Sequence, residues 1–220
     1  MASRTLTRGE KQAETRTALL RSAAKLFRSR GLEGTSVEQI AQGAGYTKGA
    51  FYSNFTSKEQ LYLVMLDERF AEQLDALDRR LSGTDDPDQQ ARHAAAEFVR
   101  SFRGDEDWKR LYFEFVAHAM RDDRFREELA TRHRALRARL TEILRDWAAA
   151  FVEKPPIPFE DVAAMTDIMS DGFLLDRMVD PDLDEDLYAT LVSVFFRGLQ
   201  AMAAGWEPDP ADFSPAASSA

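Results

Sequence analysis

The chain has 220 residues, of which 44% are hydrophobic, no cysteine and a formal net charge of −9. This length can bury a core in one or two domains, and the absence of cysteine excludes disulfides and thiolate metal sites. No apolar run approaches the roughly 20 residues that span a bilayer, and the N-terminus lacks the apolar segment of a signal peptide. We therefore expect a soluble, cytoplasmic protein without a membrane partner.

The charge is unevenly distributed along the chain. Residues 1–60 hold ten Lys or Arg and five Asp or Glu, whereas residues 61–220 carry a net charge of −14. A basic head on an acidic body suits nucleic-acid contact at one end of the molecule, where phosphate neutralisation supplies affinity. A chance fluctuation of surface charge would produce the same split, so charge alone leaves both interpretations open.

The first helix is predicted to follow a short N-terminal arm. Thr7 and Glu10 have the spacing of a capping box, and Gly31 is suited to end a helix that runs to about Ser29. Its predicted buried stripe consists of Leu20, Ala23, Ala24 and Phe27.

Two short helices joined by a glycine-bearing turn are predicted between Gly34 and Lys58. Ser36 and Gln39 form a second capping-box pattern, and the turn that follows contains glycines that can adopt a positive φ. Thr47 is a suitable cap for the second short helix, which would end near residue 53. This arrangement is typical of the helix-turn-helix, which places its second helix in the DNA major groove.

The residues next to the second short helix have separate expected roles. Phe51 and Phe55 are spaced to point back into a core. Ser57 and Gln60 have the capping-box spacing for the start of the next helix.

The hydrophobic periodicity of the remaining chain, with its Gly/Pro breaks, predicts six further helices. Together with the first three, they make an all-α chain of about nine helices. They are predicted at residues 57–81, 88–102, 106–120, 123–151, 159–179 and 184–204. The last two are apolar around more than one face, and Gly172 and Gly198 would permit close approach of another helix. We expect one face to cover the body and the other to meet a symmetry mate in a homodimer.

Several sequence pieces within residues 13–66 carry a family resemblance. They are the apolar residues before Gly31, Gly34-Thr35-Ser36, Ile40-Ala41, Gly45-Tyr46-Thr47-Lys48-Gly49, Phe51-Tyr52-x-x-Phe55 and Lys58-Glu59-x-Leu61. Together they resemble the DNA-binding segment of the TetR family of bacterial one-component transcriptional regulators. The rest of the chain resembles that family in length and helical layout.

The resemblance implies a division of the chain. Residues 1–56 would form the helix-turn-helix DNA-binding domain, and residues 57–206 would form the ligand-binding and dimerisation domain. In the family, a terminal helix pair such as 159–179 and 184–204 forms a four-helix dimer interface. The Pro/Ser/Ala-rich residues 207–220 have a composition typical of a disordered tail.

The resemblance also implies roles in contact with operator double-stranded DNA. Thr35 and Ser36 would contact phosphates through hydroxyls and the amide-rich start of a helix. Phosphate contacts are also expected from Lys48, Tyr52 and Lys58, and proximity to base edges from Thr47, Gly49 and Asn54. Ser53 and Asn54 depart from the aromatic and histidine often found there in the family, so the operator sequence does not transfer from a relative.

The body contains many aromatic and methionine side chains, which suit either a core or a pocket between helices. Because the inducer pockets of the family lie in this body, we expect a hydrophobic or amphipathic small-molecule effector. The candidate ligand-binding residues are Trp108, Tyr112, Phe115, His118, Trp147, Met165, Met169 and Phe173. Tyr112 and His118 are the candidate polar contacts.

An enzymatic function has little support in the sequence. The chain has no phosphate-binding glycine loop, no His-Glu-x-x-His pattern and no nucleophile elbow. Glu114, His118 and Asp122 share one helical face and could bind a divalent metal, hydrogen-bond a ligand or simply be solvated. We predict no catalytic residues, no cofactor and no metal.

The sequence thus predicts a TetR-type homodimeric regulator, most simply a repressor, which binds a pseudo-palindromic operator and is released by a small, largely hydrophobic ligand. The alternative is a helical small-molecule-binding protein or enzyme with a vestigial DNA-binding head. An activator, or a repressor without a ligand, would have the same sequence features.

Overall fold

The computed structural model of the protein describes residues 7–81, 89, 92, 93, 96, 106–149 and 155–206. Within these residues the chain forms eight helices and no strand, which confirms the all-α prediction. The helices are α1 (Arg8–Arg30), α2 (Val37–Gly43), α3 (Lys48–Tyr52), α4 (Lys58–Leu81), α5 (Glu106–Ala119), α6 (Asp123–Ala148), α7 (Phe159–Val179) and α8 (Asp186–Ala203).

Three sequence predictions fall mainly or wholly outside the described residues. The helix predicted at 88–102 is represented only by Gln89, Arg92, His93 and Ala96, which are helical. The arm that precedes Thr7 and the tail at 207–220 lie outside the described part of the chain.

Local capping bonds start the N-terminal helices where the sequence predicts. At α1, the Glu10 N–H donates to Thr7 Oγ1 at 3.2 Å, and the Thr7 N–H donates to Glu10 Oε2 at 2.7 Å. Ser36 and Gln39 form the same reciprocal box at α2. Both predicted capping boxes are therefore confirmed.

The predicted capping box at α4 forms only in part. The Gln60 N–H donates to Ser57 Oγ at 3.1 Å, as expected. The side-chain oxygen of Gln60, however, accepts from the Thr56 N–H at 2.7 Å. The glutamine reaches one residue beyond the predicted partner, so the box is not reciprocal.

The buried stripe of α1 shares only two of its four residues, Ala23 and Phe27, with the prediction. Leu19, Ser22, Ala23 and Phe27 are buried, whereas Leu20 and Ala24 are only partly buried. Ser22 is the polar member of the observed stripe, and its hydroxyl donates to the Ile40 carbonyl of α2 at 2.8 Å. A buried serine that satisfies its hydroxyl in this way is not counted by a hydrophobic pattern.

Contacts divide the chain into two compact units. The first comprises Met1–Gln73 and Phe102–Ala135, and the second comprises Leu74–Ser101 and Leu136–Ala220. The first unit therefore contains α1 to α3, most of α4, all of α5 and the first half of α6.

The first unit has an aromatic core that joins α5 to α1 and α4. The Phe115 ring stacks on Tyr62 and meets Phe27 edge-on, with the Phe115 and Phe27 centroids 6.0 Å apart. Trp108 and Phe125 complete this cluster, with their centroids 5.9 Å from Tyr62 and 5.7 Å from Phe115 respectively. The packing fixes α5 against the N-terminal helices.

The second unit has an aliphatic core and a smaller aromatic cluster. The core contains Leu81, Leu140, Ile143, Leu144, Val162 and Ala163. The aromatic cluster places Phe173 beside Tyr188, with centroids 5.1 Å apart, and the buried Tyr188 hydroxyl pairs with Ser170 Oγ at 2.6 Å. None of the helices that the structure describes combines the length and hydrophobicity needed to cross a bilayer.

Candidate functional site

The helix-turn-helix is built on two buried phenylalanines. Phe51 is fully buried and Phe55 is 2% exposed, which confirms their predicted place in the core. The Arg16 guanidinium lies 4.5 Å above the Phe55 ring and donates to the Asn54 carbonyl at 3.3 Å. Gly45, at φ 78°, makes the turn between the two helices. These contacts hold α3 in a fixed orientation on α1.

The outward surface of α3 contains Gly49, which has no intramolecular packing role. Apart from the adjacent residues and the backbone of α3 itself, a Cβ atom at this position would meet only Thr47 Oγ1 within 4 Å, at 3.7 Å, and the backbone does not need a positive φ. Glycine within a helix costs roughly 1 kcal/mol relative to alanine. Nothing among the described residues offsets this cost.

Lys48, at the start of α3, forms an ion pair with Glu38 of α2. Both side chains are more than half exposed. The hydrogen bond to Glu38 raises the pKa of Lys48 and lowers that of the Glu38 carboxyl. Lys48 is therefore cationic at neutral pH, and a phosphate would have to compete with Glu38 for its ammonium group.

Of the two residues predicted to contact phosphate at the start of α2, one faces inward. Thr35 is 2% exposed, and its hydroxyl donates to the Gly31 carbonyl at 2.8 Å. Ser36 is exposed and caps α2 by accepting from the Gln39 N–H at 3.3 Å. The Thr35 hydroxyl thus has a structural partner, whereas Ser36 lies at the surface.

The Lys58 side chain is partly buried and makes hydrogen bonds within the protein. Its Nζ donates to the carbonyls of Leu32, at 2.7 Å, and Thr35, at 3.0 Å. These bonds tie the start of α4 to the linker between α1 and α2. An ammonium group has three N–H donors, so one remains for a phosphate.

The remaining predicted DNA contacts belong to α3 and its end. Thr47 Oγ1 accepts from the Ala50 N–H at 3.2 Å, and Asn54 Nδ2 donates to the Ala50 carbonyl at 2.9 Å. Asn54 is half-buried, whereas Tyr52 is 52% exposed. The side chains of Thr47 and Asn54 therefore stabilise the helix in this structure, and Tyr52 is the large side chain that it presents to solvent.

A further contact with the helix-turn-helix comes from α5, and the sequence patterns did not indicate it. Glu114 Oε1 accepts from the Leu32 N–H at 2.7 Å. The prediction that His118 and Asp122 share one helical face with Glu114 is wrong for Asp122, because α5 ends at Ala119. The His118 ring packs edge-on against Phe125, with centroids 5.1 Å apart, and Asp122 Oδ1 accepts from the Phe125 N–H at 3.0 Å. Glu114 therefore acts at a different place from His118 and Asp122, which both contact Phe125.

The predicted ligand-binding residues are divided between the two compact units. Trp108, Tyr112, Phe115 and His118 belong to the first unit, and Trp147, Met165, Met169 and Phe173 belong to the second. Trp108 and Phe115 lie in the aromatic core, and the Tyr112 hydroxyl lies 3.2 Å from His133 Nε2. Phe173 and Met169 pack in the cluster around Tyr188, whereas Met165 is exposed.

The second unit contains a small apolar pocket of about 40 Å³. It is lined by Leu144, Trp147, Ala148, Pro155, Pro156, Phe159, Val162, Phe196, Leu199 and Gln200. Gln200 is the one polar side chain in this lining, and Trp147 is the one lining residue among the predicted ligand contacts. The other lining residues come from three helices and an intervening loop, so no local sequence pattern indicates that they lie together.

α7 and α8 expose a large set of apolar side chains. Those exposed are Met165, Ile168, Leu175, Val179, Leu187, Leu191 and Val194, here called the exposed apolar face. Ile168, Val179 and Val194 are 68%, 78% and 65% exposed. A Cβ built at Gly172 or Gly198 would meet no other atom within 4 Å, so both glycines leave open space at these helices. Apolar patches of this extent are typical of protein–protein interfaces.

Comparison with known proteins places these features in one family. A family model for "Bacterial regulatory proteins, tetR family" matches residues 19–65, which include the helix-turn-helix. A model described as "BetI-type transcriptional repressor, C-terminal" matches residues 87–201, more than half of the chain.

Two proteins with similar sequences show how far the similarity extends along the chain. The transcriptional activator FasR of Mycolicibacterium smegmatis is 33% identical over 46% of this chain, and the match spans only 46% of FasR. The transcriptional repressor AcnR of Corynebacterium efficiens is 24% identical over 76% of this chain and 83% of AcnR.

Among solved structures, NalD, the secondary repressor of the MexAB-OprM multidrug efflux pump in Pseudomonas aeruginosa, is 29% identical with a TM-score of 0.60. That match covers 86% of this chain and 98% of the NalD chain. With a DNA-binding segment and a C-terminal region that both match family models, the chain belongs to the TetR family of transcriptional regulators.

Proposed function

We propose that the protein is a homodimeric repressor that binds a pseudo-palindromic operator and is released by a small, largely hydrophobic effector. The observation that carries this proposal is the outward surface of α3, where an exposed, capped helix has a glycine without an intramolecular role. Close approach to a DNA backbone or base edge accounts for that glycine, because any Cβ would hold the helix away from the groove. Operator binding would place the protein in the cytoplasm.

The DNA contacts are proposed in two groups. Ser36, Lys48 and Tyr52 are exposed and suited to phosphates, and Gly49 permits close approach to the groove. The second group makes hydrogen bonds within the protein that hold the site together, and consists of Thr35, Thr47, Asn54 and Lys58. The third N–H of Lys58 is proposed to bind a phosphate. Residues 1–56 would act as the DNA-binding domain and residues 57–206 as the effector-binding and dimerisation part.

Dimerisation is proposed through the exposed apolar face of α7 and α8. The same face on a second copy would cover it around a two-fold axis, because a closed dimer interface is self-complementary. The open space at Gly172 and Gly198 supports this interface, since helices approach most closely where side chains are absent.

The effector is proposed to be hydrophobic because the pocket beside Trp147 is almost entirely apolar. Leu199→Trp should fill this pocket and abolish release from DNA by apolar compounds while leaving DNA binding intact. Retained operator binding shows that the variant is folded. Normal release by the compounds that act on the wild type would place the effector elsewhere.

Repression rather than activation is proposed on the similarity to AcnR, which extends over 76% of this chain. FasR, described as an activator, matches over 46% of it. A reporter gene downstream of the operator decides the direction: expression should fall when the protein is supplied. A rise in expression would make the protein an activator.

Genome-scale footprinting of the bound DNA tests the proposal as a whole. We expect protected sites made of two inverted half-sites whose centres are about one helical turn, or a multiple of it, apart. The enzyme or carrier alternative, with a vestigial head, predicts no discrete protected sites.

A further inference from the structure

The linker between α1 and α2, Gly31–Thr35, is held through both backbone polar groups of one residue, Leu32. The Leu32 N–H donates to Glu114 of α5 at 2.7 Å, and the Leu32 carbonyl accepts from Lys58 of α4 at 2.7 Å. Leu32 itself is 1% exposed. The linker leads directly into Ser36, the cap of α2, so these bonds position the residues from which the first helix of the helix-turn-helix starts.

The Glu114 carboxylate occupies space that only glycine leaves free. A Cβ at Gly31 would lie 2.8 Å from both carboxylate oxygens. Gly31 also has φ 69°, a conformation that other residues rarely adopt. Glycine at this position therefore ends α1 and admits the carboxylate from α5.

Tyr62 places a second hydrogen-bond donor in the same region. Its ring stacks on Phe115, the residue after Glu114, and its hydroxyl is buried without a hydrogen-bond partner among the described residues. Burial raises the pKa of Tyr62 far above its usual range, and the negative charge of Glu114 adds to this effect. The hydroxyl is therefore a neutral donor, and leaving it unpaired is unfavourable.

We propose that Glu114 is a positioning residue for DNA binding: its carboxylate fixes the start of α2 by accepting a hydrogen bond from the Leu32 N–H. When the linker is released, the Glu114 carboxylate transfers to an alternative donor, the Tyr62 hydroxyl. The exchange replaces one hydrogen bond to the carboxylate by another, so the two arrangements can be close in free energy. A displacement of α5 would favour one of them and thereby change the position of α2. This inference rests on the proposed function as a DNA-binding regulator.

Amide hydrogen exchange measured by NMR on the full-length protein tests the contact without DNA. Glu114→Ala should increase the exchange rate of the Leu32 amide about tenfold or more, because the charged acceptor is lost. Glu114→Gln retains a neutral acceptor and should restore much of the protection. Asp107→Ala, which removes an exposed carboxylate from the same helix, should leave Leu32 unchanged. Equal exchange in the wild type and Glu114→Ala would overturn the proposal.

Operator affinity tests the consequence for function. Glu114→Ala should weaken binding to the footprinted operator about tenfold, with Glu114→Gln intermediate and Asp107→Ala equal to the wild type. If the wild type binds no duplex, the proposed function fails whatever the exchange data show. If the wild type binds and Glu114→Ala binds equally well, the positioning role is wrong although the regulator proposal stands.

Tyr62→Phe tests the alternative donor. Removing the hydroxyl while keeping the stacked ring leaves the carboxylate only its Leu32 partner, so Leu32 exchange should slow severalfold and operator binding should be retained. Unchanged or faster Leu32 exchange in Tyr62→Phe would contradict the transfer of Glu114 to Tyr62.

Discussion

At the scale of single residues, Gly49 and Gly31 show two different reasons for glycine. Gly31 has a positive φ and a carboxylate in the space of its absent Cβ, so its requirement is internal. Gly49 has neither a positive φ nor a close neighbour. We therefore propose that its requirement comes from a partner outside the chain, which is the basis for the proposed DNA-facing surface of α3.

Gly49→Ala should therefore separate stability from binding. We expect the free energy of unfolding to rise by about 0.5–1 kcal/mol, because alanine is the better helix former. Operator affinity should fall about tenfold or more, because the added methyl group meets the DNA, a loss of at least about 1.4 kcal/mol. Urea denaturation and duplex titration measure the two quantities, and undiminished affinity would remove the reason for placing α3 in the groove.

Lys58 and Lys48 were predicted to have the same role, but the structure places them differently. Lys58→Met should lower the free energy of unfolding by about 1–3 kcal/mol, because two carbonyls lose their charged donor. Lys48→Met removes only an exposed ion pair and should leave the free energy of unfolding almost unchanged. Equal effects of the two substitutions in urea denaturation would contradict the internal role of Lys58.

Tyr188 predicts a pH dependence of stability at alkaline pH. Burial raises the pKa of Tyr188 to about 12, and the hydrogen bond with Ser170 only partly offsets this. The folded state therefore binds the proton more tightly than the unfolded state, whose tyrosine titrates near pH 10. The stabilisation from the neutral form is complete below pH 10 and is lost as the pH rises from 10 to 12.

The difference in the free energy of unfolding between the wild type and Tyr188→Phe isolates the contribution of the Tyr188 hydroxyl. Above pH 10 the free energy of unfolding of the wild type should fall by about 1.4 kcal/mol per pH unit more steeply than that of the variant. Urea denaturation between pH 9 and 11.5 measures both slopes. Parallel curves would show that Tyr188 is not buried in the neutral form.

At the scale of helices, the features predicted from the sequence are those set by neighbours in the chain. The capping boxes of Thr7 and Ser36 depend on residues three positions away, and both are confirmed. The contact of Glu114 with Leu32 joins residues 82 positions apart, and no local pattern indicates it. Similarly, the buried Ser22 was missed because its partner, the Ile40 carbonyl, lies in another helix.

The candidate effector site was the hardest part to predict for the same reason. Aromatic composition suggests a pocket but does not separate lining residues from core residues. Phe115 is completely buried in the core of the first unit, whereas Trp147 lines the pocket of the second. Only packing distinguishes these two side chains.

The exposed apolar face predicts how charge affects assembly. Ile168→Glu should convert the proposed dimer to a monomer, because it would bury a charge in the apolar interface of each subunit. Ala135→Glu introduces the same charge at an exposed position of α6 and should leave the dimer intact. Light scattering coupled to size-exclusion chromatography distinguishes the two. A dimeric Ile168→Glu protein would place the interface elsewhere.

At the scale of the whole molecule, the uneven charge distribution and the proposed two-fold symmetry both support the proposed DNA-binding function. Ten Lys or Arg residues lie among the first 60 residues of a chain whose net charge is −9. In the proposed function, this separation would direct DNA to the N-terminal helices and disfavour its approach to the acidic remainder. A dimer presents two such basic regions, which accounts for the expected two-fold symmetry of the operator.

The central claim, that the protein binds DNA through several phosphate contacts per dimer, is tested most directly by titrating a footprinted duplex at increasing salt concentration. Each neutralised phosphate contributes a slope of about −0.9 to the logarithm of affinity against the logarithm of salt concentration. With at least two contacts in each of two subunits, we predict a slope of about −3.6 or steeper. A slope near zero would contradict the account.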